Sequence, residues 1–228
     1  MAASTVTAPD IAVESVPFSQ TLRESTKRLH DKAHHSAYMD ALLGGSLTLA
    51  GYAQLAAQYH LIYEALEAAS DRMATDTIGA PFVIDELRRM PALAVDLEFL
   101  LGPQWRAKID PVPATIEYAE RIRTVTDGWA GGFVAHHYTR YLGDLAGGQV
   151  VRSLLNRTYG ITGAGAAFYD FSGIDNPHAF RKHYRGLLDR ADWTAAERVR
   201  IVDETLIAFE LNIAVLGDLA ERIEPFRA

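Results

Sequence analysis

The sequence predicts an all-α, single-domain protein. Apolar residues recur at three-and-four spacing from Thr21 almost to the end, no segment sustains the alternation of a strand, and caps, glycines and prolines rather than linkers punctuate the pattern. With 228 residues, 49% hydrophobic and 22% charged, the chain can bury one continuous core and needs no second domain. No internal repeat or low-complexity tract divides it.

Residues 1–18 mix Ala, Ser, Thr, Pro and Val without the basic start and apolar core of a secretory signal, and are expected to form a flexible N-terminal tail before a helical domain over 19–228. Thr21-Leu-Arg-Glu24 has the spacing of a capping box, and Leu22, Leu29, Ala33 and Ala37 form a weak apolar stripe, so a first helix is predicted from about Thr21 to Leu43. Thr48 can cap a second, core-facing helix carrying Tyr52, Leu55, Ala56, Tyr59, Tyr63 and Leu66. Pro91 starts a helix stopped by Gly102-Pro103, and Pro113 starts another that ends near Val125. A long helix is expected from Trp129 to Tyr159, then a loop to Phe171 and a helix from Pro177 to Asp189. The capping box Thr194-Ala-Ala-Glu197 opens a final helix reaching about Ile223.

Composition removes several classes of chemistry. The chain has no cysteine, which excludes disulfides, thiolate haem ligation, iron–sulfur clusters and cysteine nucleophiles, and makes a reducing cytoplasm the natural setting. The balance of 22 basic against 29 acidic residues, a net charge of −7, argues against a nucleic-acid surface. No stretch approaches the roughly 18 apolar residues of a membrane span, and none is expected.

Two local patterns carry functional information. Gly143, Gly147 and Gly148 interrupt a helix-forming stretch, and each mid-helix glycine costs about 0.5–1 kcal/mol relative to alanine. Close helix packing would explain a bare glycine pair, but it gives no reason for Asp144 between the glycines. A helix that bends and offers bare backbone to a flat ligand explains both. Arg140 and Asp144 are one turn apart and can pair. Upstream, Arg23, Lys27, His30 and His34 fall at steps of four, three and four, so one helical face carries two cations and then two imidazoles. A neutral imidazole can ligate iron while cations neutralise carboxylates beside it. Arg181, Lys182 and Arg185 form a second basic cluster, and two such patches in an acidic protein suggest a dianionic small ligand.

Four separated segments, Leu22-Arg-Glu-Ser-Thr-Lys-Arg-Leu-His30, Tyr59-His-Leu-Ile-Tyr63-Glu-Ala-Leu66, Val134-Ala-His-His-Tyr-Thr-Arg-Tyr-Leu-Gly-Asp-Leu-Ala-Gly-Gly-Gln149 and Ala208-Phe209-Glu-Leu-Asn212, resemble the haem oxygenases, and the resemblance runs from about Phe18 to Leu219. It implies haem b as both cofactor and substrate, sandwiched between a proximal and a kinked distal helix. The ring is opened at a meso carbon to biliverdin, with carbon monoxide and ferrous iron released. Molecular oxygen and an external electron donor, such as a ferredoxin or an NAD(P)H-dependent reductase, are implied as partners. By the same resemblance His30 is the iron ligand and Gly143, Gly147 and Gly148 cover the distal face. Arg23, Lys27, Tyr138, Arg181 and Arg185 would meet the propionates. Asp144, Gly143, Arg140 and Tyr63 would be catalytic, with Asp144, Tyr63, Arg140 and Asn212 organising distal water and Phe209 packing toward the distal wall.

The chain departs from the family pattern at two positions. His34 stands where a glutamate commonly accepts the second ring proton of the iron-binding histidine; a neutral His34 could accept it only as an uncharged group, leaving the ligand less electron-rich. Ala146 stands where a serine is common, removing one distal hydroxyl. A non-catalytic haem carrier or sensor would use His30 and the cations equally well but gives the glycines and Asp144 no role. A thiaminase-like enzyme on a related helical fold would need a cysteine that the chain lacks.

Overall fold

The computed structural model describes residues 16–228, and the portion of the expected tail before residue 16 lies outside them. All regular structure among the described residues is helical. The order is α1 (Phe18–His34), α2 (Ala37–Leu43), α3 (Leu49–Met73), α4 (Met90–Leu101), α5 (Trp105–Lys108), α6 (Pro113–Val125), α7 (Ala130–His137), a π-helical turn (Tyr138–Leu142), α8 (Gly143–Tyr159), α9 (Pro177–Arg190) and α10 (Ala195–Glu221).

Helix α3 is buried around most of its circumference, as expected of a central helix, and packs against α4, α6 and α7. The other long helix, α10, packs against α1, α2, α6 and α7, so these two organise the core. Helix α1 buries Phe18, Leu22, Thr26 and Leu29 on one side. Arg23, Lys27 and His30, at the complementary positions, remain exposed. No helix of the described residues is long and apolar enough to cross a membrane.

Most predicted helix boundaries hold to within a residue or two. Thr48 caps α3 through Gly51 N, and Thr194 with Glu197 forms the predicted capping box. The start of the chain differs. Thr21 and Glu24 do not form a box, because the helix begins at Phe18, a buried residue expected in the tail, and Thr21 N already bonds to Pro17 O. Glu24 instead accepts from Gln20 Nε2 at 2.8 Å. The first turn is satisfied from a distance: Ser19 N and Oγ donate to the Asp189 carboxylate of α9 at 2.8 and 3.0 Å. This contact fixes the start of α1 against the end of α9. The single helix expected from Thr21 to Leu43 is two, because Ser36 takes extended backbone and its Oγ accepts from Met39 N to start α2.

Candidate functional site

A cavity of about 740 Å³ opens between α1 and the stretch from Tyr138 to Ala146, with α9 at one edge. Its size falls in the range of small-molecule and cofactor pockets. Arg23, Lys27, His30 and Asp31 line it from α1, Tyr138, Leu142, Gly143 and Ala146 face them, and Arg181 and Arg185 reach it from α9. The two basic clusters, more than 150 residues apart in sequence, therefore converge on one opening. Among the described residues, Arg23, Arg181 and Arg185 have no acidic partner within 4.0 Å, whereas Lys27 Nζ pairs with Asp31 Oδ2 at 2.7 Å.

The wall opposite His30 is shaped by a break in helix register. Between α7 and α8 the chain runs through one π-helical turn, which inserts an extra residue and redirects α8 relative to α7. Thr139 Oγ1 contributes by donating to Ala135 O at 2.8 Å, a back-bond that bends helices. Gly143 comes immediately after the turn, and a Cβ there would project into open space; the same holds at Gly147. Neither Gly147 nor Gly148, both expected to face the ligand, lines the cavity, and Gly148 faces protein. It is buried, and a Cβ there would lie 2.6 Å from the Tyr169 ring, so its bareness serves close packing against the loop before α9.

Behind this wall Tyr63 and Arg140, which are buried, and Asp144 and Asn212, which are partly buried, form one cluster. The Tyr63 hydroxyl donates to the Asp144 carboxylate. Arg140 donates to Asn212 Oδ1 at 2.6 Å and to Asp144 Oδ2 at 3.4 Å, and its guanidinium lies 4.4 Å from the centre of the Tyr59 ring. Burial pushes the Asp144 carboxyl above its ordinary value, opposed by the Arg140 charge and then by the Tyr63 hydrogen bond. Burial also holds Tyr63 well above the usual phenol value, so its hydroxyl keeps the proton it donates. Among the described residues the buried Arg140 Nε has no hydrogen-bond partner. The four side chains do not themselves line the cavity, whereas the neighbouring Leu142 and Gly143 do.

His30 Nδ1 lies 3.4 Å from Asp31 Oδ1, and its ring is edge-on to Phe209 with centroids 6.4 Å apart. Phe209 thus sits beside the imidazole, not on the expected distal wall, because α10 packs along α1. The His34 ring is edge-on to His35 at 4.9 Å. His136 and His137 are buried away from the cavity: His136 Nε2 lies 3.0 Å from Glu204 Oε1, and His137 Nδ1 lies 2.9 Å from the Tyr184 hydroxyl.

Comparison with known proteins decides among ligands of this shape. A family model described as "Heme oxygenase" matches residues 16–218. The chain is 35% identical over 214 residues to Heme oxygenase 1 of Rattus norvegicus, spanning 92% of this chain and 74% of that one. This chain belongs to the haem oxygenase family. Among solved structures it is similar to heme oxygenase-1 of the cyanobacterium Synechocystis in complex with heme, at a TM-score of 0.86 and 32% identity over 91% of this chain and 94% of that one. It is also similar to Synechocystis heme oxygenase-2 in complex with heme and NO, at a TM-score of 0.87 and 34% identity over 92% and 88% of the two chains.

The residues present fit the family's cofactor. A tetrapyrrole needs a flat slot, an axial donor and cations for two carboxylates; Gly143 keeps the slot open, His30 offers a nitrogen, and Arg23, Arg181 and Arg185 lie at one rim. Sequence reasoning about this haem oxygenase missed three contributors. Tyr59 precedes Tyr63 by one turn of α3 and could have been found by that spacing. Phe168 packs against both tyrosines, at 5.3 and 5.2 Å, but comes from the loop and leaves no periodic signal. Asp31 adjoins His30, where helix periodicity does not look for partners.

Proposed function

We propose that this protein binds haem in the α1–α8 cavity and opens it at a meso carbon to biliverdin, releasing carbon monoxide and iron, with molecular oxygen and an external electron donor as co-reactants. The observation that carries the reading is the juxtaposition of the His30 imidazole with the side-chain-free Gly143 across a slot edged by arginines that have no acidic partner among the described residues. When bound, the haem supplies both the iron that activates oxygen and the carbon that is oxidised.

The protein's own part is binding, orientation and proton supply. His30 holds the iron from α1 through Nε2. Arg23, Lys27, Arg181 and Arg185, with the Tyr138 hydroxyl, hold the propionates and fix the ring's rotation. Gly143, with no side chain, would let the backbone approach the haem's distal face closely and limit the room left there for a small molecule. Asp144 holds water through its carboxylate, kept in place by Tyr63 and Arg140, and that water passes protons forward. His30 would offer the iron a neutral imidazole, which releases less electron density than a thiolate would. A cytoplasmic ferredoxin or NAD(P)H-dependent reductase is the class of electron donor that suits this chemistry.

The test is aerobic turnover of the haem-loaded protein with a reductant, followed by absorption and product chromatography. Decay of the Soret band with biliverdin as product is the expected result. A Soret band that persists, with haem recovered intact, would make the protein a carrier.

A further inference from the structure

We propose that Asp31, oriented by Lys27, accepts the Nδ1 hydrogen of His30 and sets how electron-rich that imidazole is, in place of the residue at position 34. The inference rests on the reading of His30 as the iron ligand. An imidazole has two ring nitrogens; one that binds a metal leaves the other free to donate, and a carboxylate acceptor there fixes the tautomer and raises the ligand's basicity. Nδ1 of His30 lies 3.4 Å from Asp31 Oδ1, and the other oxygen of the same carboxylate is 2.7 Å from Lys27 Nζ. Nδ1 facing a carboxylate carries the proton, which leaves Nε2 as the nitrogen with a free lone pair.

Position 34 is poorly suited to the role. His34 is one turn from His30, but its ring packs edge-on to His35, and among the described residues no hydrogen bond joins it to His30. A neutral imidazole would also be a weaker acceptor than a carboxylate. Lys27, His30 and Asp31 all line the same cavity, so an occupant that excludes water there strengthens the contacts among them. Lys27 acts in two directions. Its charge holds Asp31 in place, and by sharing the carboxylate it weakens Asp31 as an acceptor for His30. Lys27 thus links the propionate edge of the cavity to the axial ligand.

The measurement is resonance Raman of the ferrous haem-loaded protein, read at the iron–histidine stretching band, with the reduction midpoint potential as a second readout. Asp31→Asn should move the band to lower frequency and raise the potential. His34→Ala should leave both in place. Both side chains are exposed, so the variants should fold as the parent does. An unmoved band in Asp31→Asn, or an equal displacement in His34→Ala, overturns the proposal. Persistence of the band in His30→Ala, or its absence in the parent, overturns the assignment of His30 itself and is distinguishable from a missing shift in Asp31→Asn.

Discussion

Under the proposed function Asp144 is the residue on which the chemistry turns, because it is a largely buried carboxylate between a tyrosine that keeps its proton and an arginine that keeps its charge. Replacing it would remove the group proposed to hold distal water, and Asp144 does not line the cavity itself. Asp144→Ala should lower biliverdin yield by roughly a hundredfold, the scale of a lost acid–base group, while oxidation of a phenolic dye by peroxide rises. Asp144→Asn, which retains a partner for Tyr63, should show the same loss, and normal biliverdin yield from either variant would remove Asp144 from the mechanism. His30, Arg23 and Lys27 were legible in the sequence because three-and-four spacing places them on one helical face. The Arg140–Asp144 pair was legible for the same reason, whereas its tie to Tyr63 spans 81 residues and came only from family resemblance. Phe209 was expected on the wrong wall, since its place is set by how α10 lies along α1, a matter of packing that periodicity does not encode.

At the scale of the element, the three glycines that look alike in sequence divide into two roles. Gly143 and Gly147 face open space, and Gly148 faces the ring of Tyr169. Gly147→Ala should therefore raise the free energy of unfolding by about 0.5–1 kcal/mol through helix propensity alone. Gly148→Ala should lower it by about 1–3 kcal/mol, because the new methyl group meets an aromatic ring at 2.6 Å. Chemical denaturation measures both, and equal effects of the two substitutions would refute the division. Gly143→Leu should leave stability near the parent and weaken haem binding in an absorption titration. The loop behind Gly148 is held by Asp96, a fully buried carboxylate that accepts from Gly165, Ala167 and Phe168 N at 2.7–2.8 Å. Neither this anchor nor the Asp189 cap on Ser19 was legible, because each joins residues far apart in sequence. The bend in the long helix was expected from its glycines, while its form, a π turn assisted by the Thr139 back-bond, was not.

Across the whole molecule, the helical period and the caps made nearly all of the fold legible, and the long-range carboxylate contacts that lock it together were hidden. Buried histidines make the fold sensitive to acid. Burial depresses His137 to about 3 from an ordinary value of 6.5, so the unfolded chain takes up its proton first as pH falls. The contribution is fully present above about pH 6.5 and is lost as the pH drops toward 3. Glu204, pushed up by burial but held down to about 2 by its bonds to His136 and Arg121, adds a further loss below its ordinary value of 4.5. Denaturant midpoints should therefore fall between about pH 7 and 4, and His137→Phe should reduce that fall by roughly 2–3 kcal/mol; an unchanged slope would contradict this. The central claim is geometric: haem lies between the first helix and the kinked one. Diffraction from crystals of the haem complex, with iron located by its anomalous signal, tests it most directly. The expected result is an iron peak within bonding distance of His30 Nε2, with the ring plane against Gly143 and its carboxylates toward Arg23, Arg181 and Arg185. Iron bound by another residue, or a ring seated outside this cavity, would contradict it.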